Sequence, residues 1–177
     1  MSYLNKALAE LKYARTPVQP PGGACAALVV AADQRFSRVT AEHTARVDTV
    51  AAYLPGQFYL REMPAIEAVL ATTDPMDLLV IDGYVTLNPH GRPGLGAHLH
   101  TDTGVAVIGV AKTAFATATH AIAVRRGAAT RPLYVTAAGL DPQRAAAIIA
   151  AMAGAYHLPD ALRRVDALAR SCQPSPR

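Results

Sequence analysis

The sequence has no tryptophan, only two cysteines and few aromatic side chains, 6% of 177 residues. Much of its 51% hydrophobic content is therefore alanine, and the bulky part of the core is thinner than that percentage suggests. The cysteines, Cys25 and Cys172, are far apart, and neither has a second cysteine or a histidine nearby at metal-ligand spacing. That excludes a zinc motif and a disulfide framework. The expectation is two separate reduced thiols in a cytoplasmic protein.

Long hydrophobic runs are also missing. The longest, residues 24–32, is about half of the ~18 residues that a membrane helix needs. Met1-Ser2-Tyr3-Leu4-Asn5-Lys6 lacks the charged and apolar regions of a signal peptide. No membrane partner is expected. Charged residues are scarce at 17%, and the net charge is +4, a mild basic excess that suits a polyanion without singling one out. There is no internal repeat, and low-complexity sequence is limited to a Pro/Gly segment at residues 17–23 and the tail. One domain is expected over residues 1–171, with residues 172–177 as a flexible tail.

The elements alternate. Residues 24–32 form a buried strand, Asp33-Gln34-Arg35-Phe36-Ser37 a turn, and residues 38–50 a more exposed strand. Residues 64–70 read as a helix with Pro64 in its first turn. Leu78-Leu79-Val80-Ile81 is a buried strand ending at Asp82-Gly83, residues 89–96 are a loop, and residues 105–110 and 133–136 are further strands. Residues 141–155 form an Ala-rich helix with Asp141 as N-cap and Pro142 at its first position; residues 159–170 form a last, amphipathic helix. The first residues are ambiguous: Leu4, Leu8 and Leu11 have helical spacing, while residues 7–14 suit a first strand. The pattern is an α/β domain with a mixed central sheet, an early antiparallel hairpin and flanking helices.

Carboxylates sit where these elements end. Asp82 closes a buried strand, Glu62 follows an odd Tyr/Pro/Gly segment, and Asp166 lies on the last helix between Val165 and Ala167. A carboxylate at the edge of a core is costly unless paired or metal-bound. Hard cations such as Mg²⁺ take one to three carboxylates plus water and phosphate oxygens, and two such ions can clamp a phosphodiester for in-line attack. Taken singly, each carboxylate reads equally well as a helix cap or an arginine partner.

Order and spacing add a family. Tyr53-Leu54-Pro55-Gly56 followed by Leu60-Arg61-Glu62-Met63-Pro64 is similar to the Tyr-Ile/Val-Pro-Gly and Phe-Arg-Glu-x-Pro signature of endonuclease V. Leu79-Val80-Ile81-Asp82-Gly83 resembles that family's Val-Asp-Gly strand end, and Ile108-Gly109-Val110-Ala111-Lys112-Thr113 its Ile-Gly-Val-Ala-Lys-Ser strand. Gly94-Leu95-Gly96-Ala97-His98 and Pro132-Leu133-Tyr134-Val135-Thr136 are looser matches. The resemblance runs from about Ala24 to Arg170.

It implies an RNase H-like fold and Mg²⁺- or Mn²⁺-dependent hydrolysis of a phosphodiester in DNA or RNA, one nucleotide to the 3′ side of a deaminated base, chiefly inosine, by a monomer. Carried over by position, Glu62 and Asp82 are metal ligands and Lys112 lies close to the phosphates. Tyr53, with Pro55 and Gly56, belongs to a wedge beside the flipped base. Gly83, Tyr84 and His98 belong to the nucleic-acid contact, and the Gly-rich segment after Asp82 brings backbone N–H groups to the base edge.

The family's first catalytic Asp falls in Leu8-Ala9-Glu10-Leu11-Lys12-Tyr13, with Glu10 at its position; Asp33 is the competitor. Its His-Pro-Arg segment is here Asn88-Pro89-His90, and its final His is here Asp166. The resulting metal set is Glu10, Glu62, Asp82 and Asp166. Arg125, Arg126 and Arg131 are candidates for a phosphate track. Two alternatives stay open: a nuclease of the same fold with a different structure-specific substrate, and a nucleic-acid-binding module with weakened catalysis.

Overall fold

Every residue of Ala24–Ala31 is buried, as a run of Ala, Cys, Leu and Val without a charged member requires of a strand covered on both faces. The structure, a computed structural model, describes residues 6–13, 23–52, 54 and 57–172, with the backbone alone over 8–13. The elements are β1 (Lys6–Tyr13), β2 (Ala24–Ala31), β3 (Val39–Val47), α1 (Tyr59–Leu70), β4 (Leu78–Asp82), α2 (Leu95–Thr103), β5 (Ala106–Ala111), β6 (Ile122–Val124), β7 (Leu133–Ala138), α3 (Pro142–Ala151) and α4 (Asp160–Ser171). They build one mixed sheet in the order β3-β2-β1-β4-β5-β7-β6. The pairs β1–β4 and β4–β5 are parallel and the others antiparallel.

The sheet separates two cores. On one face Val29, Val80 and Ile108 meet Ile149 of α3 and Leu162 and Val165 of α4. On the other, Leu28, Leu79, Ile81 and Val107 meet Ile66 and Val69 of α1 and Leu99 of α2. Alternation along each strand sends successive side chains to opposite cores. The α/β, three-layer arrangement expected from the sequence is thus present.

Local differences have local causes. The ambiguous first segment is a strand, because it pairs with β2 (Ala7 with Val30, Glu10 with Ala27) and with β4 (Ala9 with Ile81), and long-range pairing overrides helical spacing. Helix α1 starts at Tyr59, so Pro64 lies inside it rather than in its first turn. Its beginning is tightened by Leu60 N–H to Gln57 O and Arg61 N–H to Phe58 O. Helix α2 and the short β6 have no counterpart in the sequence reading. Helix α3 ends at Ala151, earlier than expected, although Asp141 caps it as expected by accepting from Arg144 N–H at 2.9 Å. Among the described residues no helix is long and apolar enough to cross a membrane.

The cysteines require a correction. Cys25 and Cys172 are joined in a disulfide, with Cα atoms 6.0 Å apart, rather than standing as separate thiols. The start of β2 and the end of α4 meet in space although 147 positions separate them, a proximity that no local pattern reveals. Closing so long a loop removes roughly 4–5 kcal/mol of denatured-state entropy in the chain-entropy picture. For the oxidised protein, reduction should therefore lower Tm by roughly 10 °C or more. Thermal melts with and without dithiothreitol check this, and a melt insensitive to reductant in a protein shown by mass to be oxidised refutes it.

Candidate active site

Strand β4 delivers Asp82 to its carboxyl end, and Gly83 turns the chain away with φ of 136° while its N–H donates to Val110 O at 3.0 Å. Because β5 lies parallel with Val110 opposite Asp82, the residue two further on, Lys112, faces the same carboxylate. Its Nζ stands 2.6 Å from Asp82 Oδ2. Glu62 arrives from the first turn of α1. The helix dipole there favours a charged carboxylate. Burial, then the charge of Asp82, nevertheless pushes the Glu62 pKa up to about 7, with Arg61 opposing. Two carboxylates thus crowd one partly buried spot, Lys112 contacting Asp82 and the charge of Arg61 offsetting part of the cost at Glu62.

Beside them is a cavity of about 330 Å³ lined by Phe58, Tyr59, Glu62, Asp82, Tyr84 and Phe115. Tyr84 orders its wall: the phenol donates to Thr113 O at 2.8 Å and accepts from Phe115 N–H at 3.0 Å. Burial pushes this phenol's pKa up. A larger cavity, about 720 Å³, lies around Asp74, His100 and Gly139 and includes neither Glu62 nor Asp82.

The glycines act by bulk. A Cβ on Gly109 would meet Gly83 O at 2.6 Å and Val85 N at 2.8 Å, so β5 must be bare where the turn after Asp82 crosses it. The backbone N–H groups of Gly83, Gly94 and Gly96 are donated to Val110, Val85 and Tyr84 carbonyls. These three N–H groups are taken up within the turn and at the start of α2. Gly109→Ala should cost about 1–3 kcal/mol by overpacking and displace Asp82, lowering Tm. An unchanged Tm would show that the turn tolerates the methyl.

The structure thus brings Glu62, Asp82, Gly83, Tyr84 and Lys112 together. Glu10 lies one residue beyond the Ala9–Ile81 pair, level with Asp82 on the neighbouring strand. Asp33 is elsewhere: its carboxylate accepts from Arg35, Ser37 and Arg38 N–H in the β2–β3 turn, where Ala31 pairs with Lys6. That is four residues along β1 from Glu10, about 13 Å. Asp166 sits on α4, mostly covered, with Oδ2 2.7 Å from Arg170. Among the described residues no group of three or more Asp, Glu, His or Cys side chains is placed to hold a metal ion. His98 stacks on Tyr59 with ring centroids 3.7 Å apart. Asn88 folds its own loop, accepting from His90 and Arg92 N–H. Tyr53, Pro55 and Gly56 lie outside the described residues.

Arg126 is no part of a phosphate track. It is 6% exposed and donates to the carbonyls at the end of α3. Sequence reasoning missed Phe58 and Phe115, both solvent-facing at the cavity rim. The available signal was their rarity: the chain has only three Phe, and one stands three residues after Lys112.

The Glu62–Asp82 donors are all oxygen, and they are two carboxylates close enough for the charge of one to be felt by the other in a mostly buried place. Both features fit a hard divalent cation. A carboxylate at the carboxyl end of β4, a second from the first turn of α1 and a lysine from β5, set on a mixed sheet of this order, make the frame of an RNase H-like nuclease. The family model for endonuclease V matches residues 12–121. Over 170 residues the chain is 36% identical to the endonuclease V of Streptomyces coelicolor, covering 82% of this chain and 71% of that protein. The crystal structure of Streptomyces avermitilis endonuclease V superposes with a TM-score of 0.77 at 28% identity, covering 94% of this chain and 80% of that one. Ciona intestinalis endonuclease V, solved with a 23mer DNA containing an inosine, gives a TM-score of 0.76 at 15% identity, over 94% and 85% of the two chains. The chain belongs to the endonuclease V family.

Proposed function

We propose that this chain is a Mg²⁺- or Mn²⁺-dependent endonuclease that hydrolyses a phosphodiester to the 3′ side of a deaminated base, inosine above all, in DNA or RNA. The observation that carries the reading is the Glu62–Asp82 pair, faced by Lys112, at the edge of an aromatic-lined cavity. Glu62 and Asp82 would hold the metal, with Glu10 from β1, and Asp166 from α4 would join them only by leaving Arg170. Bound there, the cation supplies Lewis-acid stabilisation of the charge that develops on the phosphoryl oxygens. Lys112 exchanges its contact with Asp82 for the phosphate and holds it in line. Gly83, Tyr84 and His98 with its partner Tyr59 form the wall against the extruded base, and Tyr53, Pro55 and Gly56 wedge the gap it leaves. The cavity's apolar rim keeps water away from the base edge. The protein acts as a single domain and a monomer in the cytoplasm, on nucleic acid rather than at a membrane.

The test is a nicking assay on labelled single-stranded DNA, duplex DNA and single-stranded RNA, each with one inosine, in Mg²⁺, in Mn²⁺ and in EDTA. Cuts just 3′ of inosine that EDTA abolishes are the expected result. Metal-dependent cuts indifferent to inosine or adenine would instead identify a structure-specific nuclease. Binding without cutting would identify a disarmed binding module.

A further inference from the structure

Tyr156 is 66% exposed, the most open of the exposed large hydrophobic side chains among the described residues. It stands on the loop between α3 and α4, and that loop is firmly held. The buried Arg126 guanidinium donates to three carbonyls there, Tyr156 and Gly154 at 3.1 Å each and Met152, and to Ala150 O in the last turn of α3 at 3.4 Å. Gly127, in the left-handed region, lies so close that a Cβ would meet Ala155 O at 2.3 Å. An aromatic ring on a pre-ordered backbone loses little entropy on binding.

One face of the ring meets a cation. Arg163 Cζ lies 5.2 Å above the ring centroid. Its ionic partner, Asp160, is only at 4.0 Å, an exposed contact worth little. The concave surface here, about 670 Å³, is lined by Ala128, Ala129, Tyr156, His157, Leu158 and Arg163 and by no carboxylate. A flat π-face and a guanidinium suit a nucleotide, the ring stacking a base and the cation holding its phosphate. Arg163 precedes Asp166 by three residues, which places both on one face of α4 about 5–6 Å apart.

We propose that the Tyr156–Arg163 platform is a second nucleic-acid contact, which stacks an unpaired base of the bound strand on Tyr156 and seats the adjoining phosphate on Arg163. The inference rests on the nuclease reading above and adds to it a contact for a nucleotide several positions from the cut, since the loop docks on the β2–β3 turn, Ala153 N–H donating to Arg35 O at 2.7 Å, away from Asp82.

Fluorescence anisotropy with a labelled 15-nucleotide single strand and the matching duplex, in EDTA, tests it on the full chain. Tyr156→Ala should weaken single-strand binding about 5- to 100-fold, the range of one lost base stack. Duplex binding should stay within about twofold, because its bases are already stacked. Tyr156→Phe should restore the wild-type constant. Arg163→Gln should lower the slope of log K against log salt by about 0.7 on the single strand. Single-strand affinity unchanged in Tyr156→Ala, or lost equally for strand and duplex, overturns the platform. If the wild type binds and nicks normally in that case, only this inference falls. A wild type that neither binds nor nicks overturns the nuclease reading and the platform together.

Discussion

Replacing Asp82 by Asn should lower nicking of an inosine-containing strand about 10³-fold or more, while the strand binds as tightly as before or tighter. The loss follows from the position of the carboxylate. Asp82 is the strand-end group that Glu62 senses as a neighbouring charge and that Lys112 touches at 2.6 Å. Removing its charge removes the anchor for a divalent cation and with it several kcal/mol of transition-state stabilisation, at 1.36 kcal/mol per decade of rate. The gain or constancy in binding has the opposite origin. The Asn side chain no longer repels phosphate, and Lys112 loses its competing partner. The isosteric amide keeps the turn at Gly83, so Tm should move little. A variant that cuts within tenfold of wild type would remove Asp82 from the chemistry, and one that loses binding and cutting together would point to a misfolded site.

The second large effect concerns Glu62. Its pKa rises from 4.5 in an unstructured chain to about 7 in the fold, so the fold favours the protonated acid. Below pH 4.5 both states hold the proton and there is no penalty. As pH rises from 4.5 to about 7 the unfolded chain releases its proton first, and stability falls with pH. Over that gap of about 2.5 pH units the loss approaches roughly 3 kcal/mol, at 1.36 kcal/mol per unit, and it stays constant above. Glu62→Gln should abolish that part of the pH dependence and make the metal-free protein more stable near pH 8. A divalent cation that binds the ionised pair reverses the penalty. Mg²⁺ or Mn²⁺ should therefore raise the wild-type Tm more at pH 8 than at pH 5.5, and raise that of Glu62→Gln much less. Melting curves of both proteins from pH 4.5 to 8.5, with metal and with EDTA, read out each part. Parallel pH profiles for wild type and variant would show that Glu62 is not a strained acid.

The candidate site was legible to different depths at different residues. Asp82 could be placed because four apolar residues precede it and Asp-Gly ends them, a local pattern of strand and turn. Glu62 and Lys112 could be placed through motifs of five or six residues whose order resembles one family. Phe58 and Phe115 were passed over because a lone exposed aromatic has no periodicity. Arg126 was misread because an arginine in a short polar segment looks the same whether it faces solvent or gathers the carbonyls of a helix end. The glycines were read as donors of N–H groups, whereas their service is to let the turn after Asp82 lie flat on β5.

The sequence by itself determined the elements that a repeat of two or about 3.6 residues can mark: the strand of residues 24–31, the strand ending at Asp82, the Asp141-capped helix and the amphipathic α4. It also determined the chemical types available, several carboxylates and one well-placed lysine. Only the tertiary structure decided which of them meet. Lys112 reaches Asp82 across 30 positions and Cys25 reaches Cys172 across 147, because parallel register and the last helix's path over β1 and β2 set those neighbours. It also set the backbone register in which Glu10 falls level with Asp82 on the neighbouring strand, while Asp33 falls in the β2–β3 turn at the other end of those strands. Such proximities follow from strand order and register, which depend on the packing of the whole core, and no window of adjacent residues contains that information.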